Sequence, residues 1–278
     1  MKTILVPTDF SETAKNASLY AIDLAKQVKA KKIILYNTYQ APVSVGPDPM
    51  VPVLEVFDLD TVKKANEENL QLLKFKFLAF CDKDIVIDTL CEFNMLAQGV
   101  EEICGRMDID LIVMGITGGG AVEETVFGSN TVKVARTIKV PVIIVPAKAN
   151  YTSVDKIALV TDFEKVNTSI PVEPIKKILQ STGAELNILH VEKSGNYNKD
   201  NAFESVEMDK LFTGFEPKYH FIHNQDFADA INDFVFEQQI DLVIIVPKKH
   251  GLFETIFKKS HTKHLAFHSN IPLMVVHE

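Results

Sequence analysis

Leu111-Ile-Val-Met-Gly115-Ile-Thr-Gly118-Gly-Gly-Ala-Val-Glu-Glu-Thr-Val-Phe-Gly128-Ser129-Asn130-Thr131 is the stretch that decides the fold class. The apolar, β-branched run from Asp110 to Met114 reads as a buried parallel strand. From Ser129 onward Val132, Ala135 and Ile138 recur at helical spacing, so the glycines join a strand end to a helix start. Such a junction suits phosphate: glycine lets backbone approach a ligand, and the first N–H groups of a helix lack internal partners and sit at the positive end of its dipole. Ser129 and Thr131 add hydroxyls. Taken alone, the stretch also reads as a Gly-rich surface loop that binds nothing.

The spacing excludes two common phosphate motifs. A P-loop needs G-x4-G-K-[ST], and no lysine stands where it would reach the phosphates; a dinucleotide fingerprint needs glycine at 123, where Glu123 stands. What remains is G-x2-G-x9-G-S, from Gly115 through Gly118 to Gly128-Ser129, together with an opening stretch Ile4-Leu-Val-Pro-Thr8-Asp9-Phe-Ser11. On these two stretches the sequence resembles the universal stress protein family, in its ATP-binding branch. The resemblance implies a nucleotide site made by Thr8, Asp9, Asn37, Met114, Gly115, Gly118, Gly128, Ser129, Asn130 and Thr131. It puts Asp9 at the ribose hydroxyls or the adenine side and the Asn37 backbone at adenine. The turn from Gly115 to Thr131 wraps the phosphates of ATP, with Mg²⁺ helping to neutralise them. Read without the family, Thr8-Asp9 before a helix is equally a capping arrangement.

Working outward, strands are expected at Lys2–Pro7, Ile33–Asn37, Ile85–Cys91, Asp110–Met114 and Val140–Pro146. Helices are expected between them. One starts after Ser11, with Ala14, Ala17, Ala21, Leu24 and Val28 on its apolar side. A second carries Leu59, Val62, Leu70, Leu73, Phe77 and Phe80 as a stripe, with Lys63, Lys64, Glu67 and Glu68 as the solvated face; the others are Leu96–Met107 and Ser129–Ile138. The proline-rich segment from Gln40 to Leu59 is long for a connection and reads as a lid, a partner surface or a passive crossover. Alternating strands and helices mean parallel pairing, right-handed crossovers and ligands at the carboxyl ends of the strands.

After Ala147–Ser153 the pattern restarts. Lys156-Ile-Ala-Leu-Val-Thr161-Asp162-Phe163 repeats Ile4 to Phe10, Leu186 to His190 echoes Ile33 to Asn37, and Gln239 to Pro247 repeats Asp108 to Gly115. Asn270 to Val276 repeats Lys139 to Val145. The expected fold is therefore α/β, two tandem doubly wound parallel five-stranded sheets at 1–147 and 154–278. The resemblance makes each sheet Rossmann-like, of the adenine nucleotide alpha hydrolase type, with strand order 3-2-1-4-5. The second glycine turn is degenerate: Pro247 is read in the place of Gly115 and Lys259 in that of Gly128, in a shorter loop. The apolar fifth strands lie at sheet edges, which invite another strand; the resemblance, in whose single-domain members these edges pair between subunits, implies that they pair within this chain, with a homodimer possible as well.

Composition limits the function classes. At 278 residues the chain exceeds a usual single core. A net charge of −8 disfavours a nucleic-acid partner. No apolar run is long enough for a bilayer and no signal peptide is evident, so a cytoplasmic protein is expected. Cys81, Cys91 and Cys104 lack CxxC spacing. His261, His264 and His268 share one face of the last expected helix, with His250 and His220 or His223 as possible neighbours; they read as a zinc site or, more simply, a solvated face. No carboxylate pair, Ser/His/Asp set or HExxH has catalytic spacing. The expectation is a nucleotide-sensing stress-response module with at most very weak ATPase activity. The alternatives are a slow ATPase or nucleotidyl-transfer enzyme, and a ligand-free scaffold.

Overall fold

The computed structural model describes residues 1–41, 58–116, 129–163, 165–192, 200–247 and 271–277. The first half has strands β1 (Thr3–Pro7), β2 (Lys32–Tyr39), β3 (Val86–Phe93), β4 (Leu111–Ile116) and β5 (Val142–Pro146). Its helices are α1 (Glu12–Gln27), α2 (Leu59–Leu78), α3 (Leu96–Arg106) and α4 (Ser129–Thr137). The second half has β6 (Lys156–Val160), β7 (Glu185–Glu192), β8 (Lys218–His223), β9 (Leu242–Ile245) and β10 (Leu273–Val275). Its helices are α5 (Val166–Ser169), α6 (Val172–Thr182), α7 (Asp200–Leu211) and α8 (Phe227–Gln238).

The ten strands among the described residues lie in one sheet, in the order β3-β2-β1-β4-β5-β10-β9-β6-β7-β8. Each half has the expected 3-2-1-4-5 order with parallel pairing. The sheet is α/β and doubly wound. Where the halves meet, β5 and β10 pair antiparallel, Ile143 opposite Met274. Alternation along the strands makes two cores: Ile4 and Val6 join α1, α2, α6 and α7 on one face, while Leu5 joins α3, α4 and α8 on the other. Burial on both faces is why the central strands read as unbroken apolar runs.

Local chemistry sets the elements. The Ser11 side chain accepts the Ala14 amide at 3.2 Å and starts α1. Ala14, Ala17, Ala21 and Ala25 on its buried face let the helix lie close to the sheet. On α2 the expected stripe holds at Leu70, Leu73 and Phe77, but Leu59 is 39% and Phe80 57% exposed. Phe80 lies past the end of the helix, and Leu59 opens its first turn, so neither reaches over the sheet. Residues 42–57, where a lid or crossover was expected, lie outside the described residues.

The register corrects the alignment of the two glycine turns. Ile4 faces Leu111 and Leu5 faces Ile112 in the first half; their repeats Ile157 and Ala158 face Leu242 and Val243. The same offset carries Met114 to Ile245 and Gly115 to Val246, so Pro247 matches Ile116 rather than Gly115. The offset is unchanged at the fifth strands, where Val142 faces Ile112 as Leu273 faces Val243, so the stretches between β4 and β5 and between β9 and β10 are equal in length; the loop that was read as shorter lies outside the described residues. At a strand end one apolar residue resembles the next, and the register alone numbers them.

The junction between halves is polar as well as apolar. Gln27 donates to the Val154 and Thr182 carbonyls at 3.0 and 3.2 Å and accepts from the Val154 amide and the Tyr151 hydroxyl. Asn16 donates to the carbonyls of Pro146 and Ala149 at 3.2 and 3.0 Å. At the start of β4 Asp110 accepts the Thr3 amide at 2.9 Å and pairs with Lys177 of the second half. Its repeat Asp241 accepts the Asp155 and Lys156 amides, both at 2.9 Å.

Candidate functional site

The carboxyl ends of β1, β2 and β4 meet where the chain winds both ways from β1, the usual ligand position in such sheets. Thr8, just past β1, is buried and donates its amide to Tyr36 at 2.8 Å. Its hydroxyl accepts the Phe10 amide at 3.1 Å. Asp9 is exposed at the sheet edge, and its Oδ1 accepts the Ser11 amide at 3.0 Å. This is the capping turn that the sequence allowed, and it leaves the second carboxylate oxygen facing solvent. The turn forces Phe10 to φ +65°, uncommon for a bulky residue; Phe163 repeats it at +54°, so the strain belongs to the fold and not to one site.

Asn37 is buried, and its Nδ2 donates to the Thr8 carbonyl at 2.8 Å, stitching β2 to the end of β1. The Cys91 thiol points at Asn37 Oδ1 at 3.8 Å, and burial, then Glu67, raises the pKa of that thiol. The sequence reading assigned Asn37 a backbone role and gave no part to its side chain or to Cys91. The repeat held a signal for the first of these. His190, matched to Asn37, sets Nδ1 at 3.0 Å from the Thr161 carbonyl, the same stitch in a second chemistry.

Met114 is buried in the core under α3 and α4, so only its main chain can face a ligand. At Gly115 a Cβ would lie 2.6 Å from the Thr13 carbonyl oxygen of α1. Thr131 is buried and its hydroxyl donates to the Gly115 carbonyl at 2.8 Å, fixing the start of α4 against the end of β4. Ser129 and Asn130 are exposed in the first turn of α4, where the first amides have no partner within the helix and the helix dipole has its positive end. The structure thus brings Thr8, Asp9, Asn37, Met114, Gly115, Ser129, Asn130 and Thr131 to one edge of the sheet. Gly118 and Gly128 lie outside the described residues.

The same holds for His250, His261, His264 and His268. Of the remaining expected neighbours, His220 sets Nε2 at 2.9 Å from Asn187 Oδ1 and packs edge-on to Phe234, and burial lowers its pKa. His223 ends β8. Among the described residues no group of three or more His, Cys, Asp or Glu side chains could hold a metal ion. No helix among them is long and apolar enough to cross a membrane.

Comparison with known proteins agrees with this architecture. The family model described as Universal stress protein family matches residues 1–146 and again 154–277. The universal stress protein MJ0531 of Methanocaldococcus jannaschii is 29% identical over 144 residues, 52% of this chain and 81% of that protein. Universal stress protein Sll1654 of Synechocystis is 30% identical over 145 residues, 52% of this chain and 85% of that protein. A universal stress protein structure from Archaeoglobus fulgidus covers 99% of this chain and 98% of its own with a TM-score of 0.69 at 20% identity, a likeness of fold. With both halves matched and both built on the same five-stranded plan, the chain belongs to the universal stress protein family, as two of its domains in tandem.

Proposed function

We propose that the first domain binds ATP, with Mg²⁺ on its phosphates, and that the protein acts as a nucleotide-sensing module and not as a turnover enzyme. The observation that carries this reading is the meeting of an exposed Asp9 carboxylate and the exposed Ser129-Asn130 start of α4 at one sheet edge, framed by the G-x2-G-x9-G-S spacing. Asp9 suits paired ribose hydroxyls, because its free oxygen can accept from them while Oδ1 holds the turn. The first amides of α4 and the Ser129 hydroxyl suit phosphate oxygens. The supply of donors without the lysine of a P-loop favours holding the nucleotide over transferring its phosphoryl group.

In the second domain Val246 and Lys259 stand in the places of Gly115 and Gly128, so that domain takes no nucleotide. The antiparallel join of β5 and β10 then serves as an internal partnership between one binding and one non-binding domain. Titration calorimetry with ATP tests the reading, together with phosphate release measured at saturating ATP and Mg²⁺. Binding with no release above the protein-free rate is expected. Absence of binding would leave the scaffold reading, and steady release lost in Asp9→Ala would make the protein an ATPase.

A further inference from the structure

The two outer strands of the sheet, β3 and β8, hold matching places, and each begins with the same ion pair in opposite sense. Lys32 on β2 lies 2.9 Å from Asp88 on β3, and Glu185 on β7 lies 2.5 Å from Lys218 on β8. The register that sets Asp88 beside Ile34 sets Lys218 beside Asn187, and the one that sets Leu90 beside Tyr36 sets His220 beside Leu189. Ile34 and Leu90 of the first half therefore become Asn187 and His220 in the second. An apolar pair packed in the core under α3 is replaced by a polar pair under α8.

The polar pair ends a chain of hydrogen bonds with a fixed direction. Lys218 donates to Glu185 Oε2, and Glu185 Oε1 accepts from Asn187 Nδ2 at 3.1 Å. That fixes the amide of Asn187, a fully buried residue, and leaves its Oδ1 facing His220 Nε2 at 2.9 Å. An amide oxygen only accepts, so Nε2 carries the proton of the neutral ring and Nδ1 its lone pair. Among the described residues no hydrogen bond or ion pair engages Nδ1. The ring packs against Phe234, 4.7 Å between centroids. The side chains that α8 buries are all apolar, Phe227 and Ile231 with Phe234, and its acids Asp229, Asp233 and Glu237 are not among them. His190 and His223 point to the other face of their strands. Burial is the main cause that lowers the pKa of His220; Glu185 acts against it and Lys218 with it.

We propose that His220 is a proton-sensitive latch on the outer edge of the second domain: on taking up a proton it releases β8 from β7 and from α8, while β3 stays closed. The neutral ring completes the polar chain, whereas the imidazolium puts a charge and an unpaired N–H where α8 offers only apolar side chains. Little else holds the strand, since β8 is six residues long and pairs on one side only; such edges open locally without global unfolding. Its Tyr219 hydroxyl donates to Asp209 at 2.7 Å, so α7 loosens with it. A group whose folded pKa is lowered leaves the fold at full stability above the unfolded value, about 6.5 for histidine, and stability is lost as pH falls from there to the folded value. The latch is closed at neutral pH and opens in mild acid.

Hydrogen exchange of the full chain, followed by mass spectrometry on peptides covering β8 and β3 and corrected for the intrinsic rate, tests this. Between about pH 7.5 and about pH 5.5 the protection of β8 relative to β3 should fall by up to about tenfold, the lower pH being roughly one unit below the unfolded value. His220→Gln, which stays neutral and can donate to the same Asn187 oxygen, should abolish the fall. Asn187→Ile with His220→Leu, a copy of the first domain, should abolish it too, and if that pair does not fold the glutamine variant decides. His223→Gln should keep it. A wild-type β8 equally protected at both pH values, a fall that persists in His220→Gln, or one lost in His223→Gln would overturn the proposal.

Discussion

At Gly115 a side chain would meet the chain before it met a ligand. The 2.6 Å from a built Cβ to the Thr13 oxygen leaves no room for any other residue unless α1 moves, and Val246 holds the equivalent place in the second half. There the helix matching α1 is interrupted, as α5 and α6 with Ile170 and Pro171 between them. Gly115→Val should therefore displace α1 and cost about 1–3 kcal/mol of stability in denaturant unfolding; an unchanged midpoint would show that the contact yields. Ser129→Ala removes one exposed hydroxyl and should weaken ATP by about 1.5–3 kcal/mol, roughly tenfold to a hundredfold, with unfolding unchanged. Calorimetry reads this directly, and equal affinity removes Ser129 from the site. At Asp110 burial pushes the pKa up, but hydrogen bonds from Lys177 and the Thr3 and Lys2 amides outweigh it and leave it lowered. A lowered carboxylate stabilises the fold above its unfolded pKa, and that contribution is lost as pH falls through the folded value. The stability gap between wild type and Asp110→Asn should be widest near neutral pH and close below about pH 4; a gap independent of pH would contradict this.

Among the elements, α1 connects the site to the junction. Its start is capped by Ser11 and braced by Gly115, and its last turn holds the linker through Gln27. Gln27→Ala leaves the Val154 amide and the Tyr151 hydroxyl without their acceptor, a loss of about 1–3 kcal/mol, and should speed proteolysis within 147–153; cleavage at the wild-type rate would show the clamp is dispensable. The α1 pattern was plain in the sequence because its alanines and Leu24 recur at helical spacing and all are buried. The strand order was legible through family resemblance and the parallel plan through alternation of elements. What stayed hidden depends on contacts between segments distant in sequence. The meeting of Thr13 with Gly115, the Asn37 amide on the Thr8 carbonyl, and the one-residue placing of Val246 follow from register, which apolar runs do not number.

For the whole molecule, the antiparallel join of β5 and β10 makes two domains share one sheet, with Ile143 and Met274 both fully buried at the seam. A charge there has no partner, so Ile143→Asp should loosen the halves and lower stability by several kcal/mol; an unchanged unfolding midpoint would mean that the seam contributes little. The join bears on the proposed function because the domains it unites differ at the candidate site: glycines at 115 and 128 in one, Val246 and Lys259 in the other. The most direct test of that asymmetry is titration of the full chain with ATP in the presence of Mg²⁺, repeated on Gly128→Lys, which copies the second domain's residue into the first. The account predicts one nucleotide per chain, and none after the substitution. Two equivalents bound, or binding that survives Gly128→Lys, would contradict it.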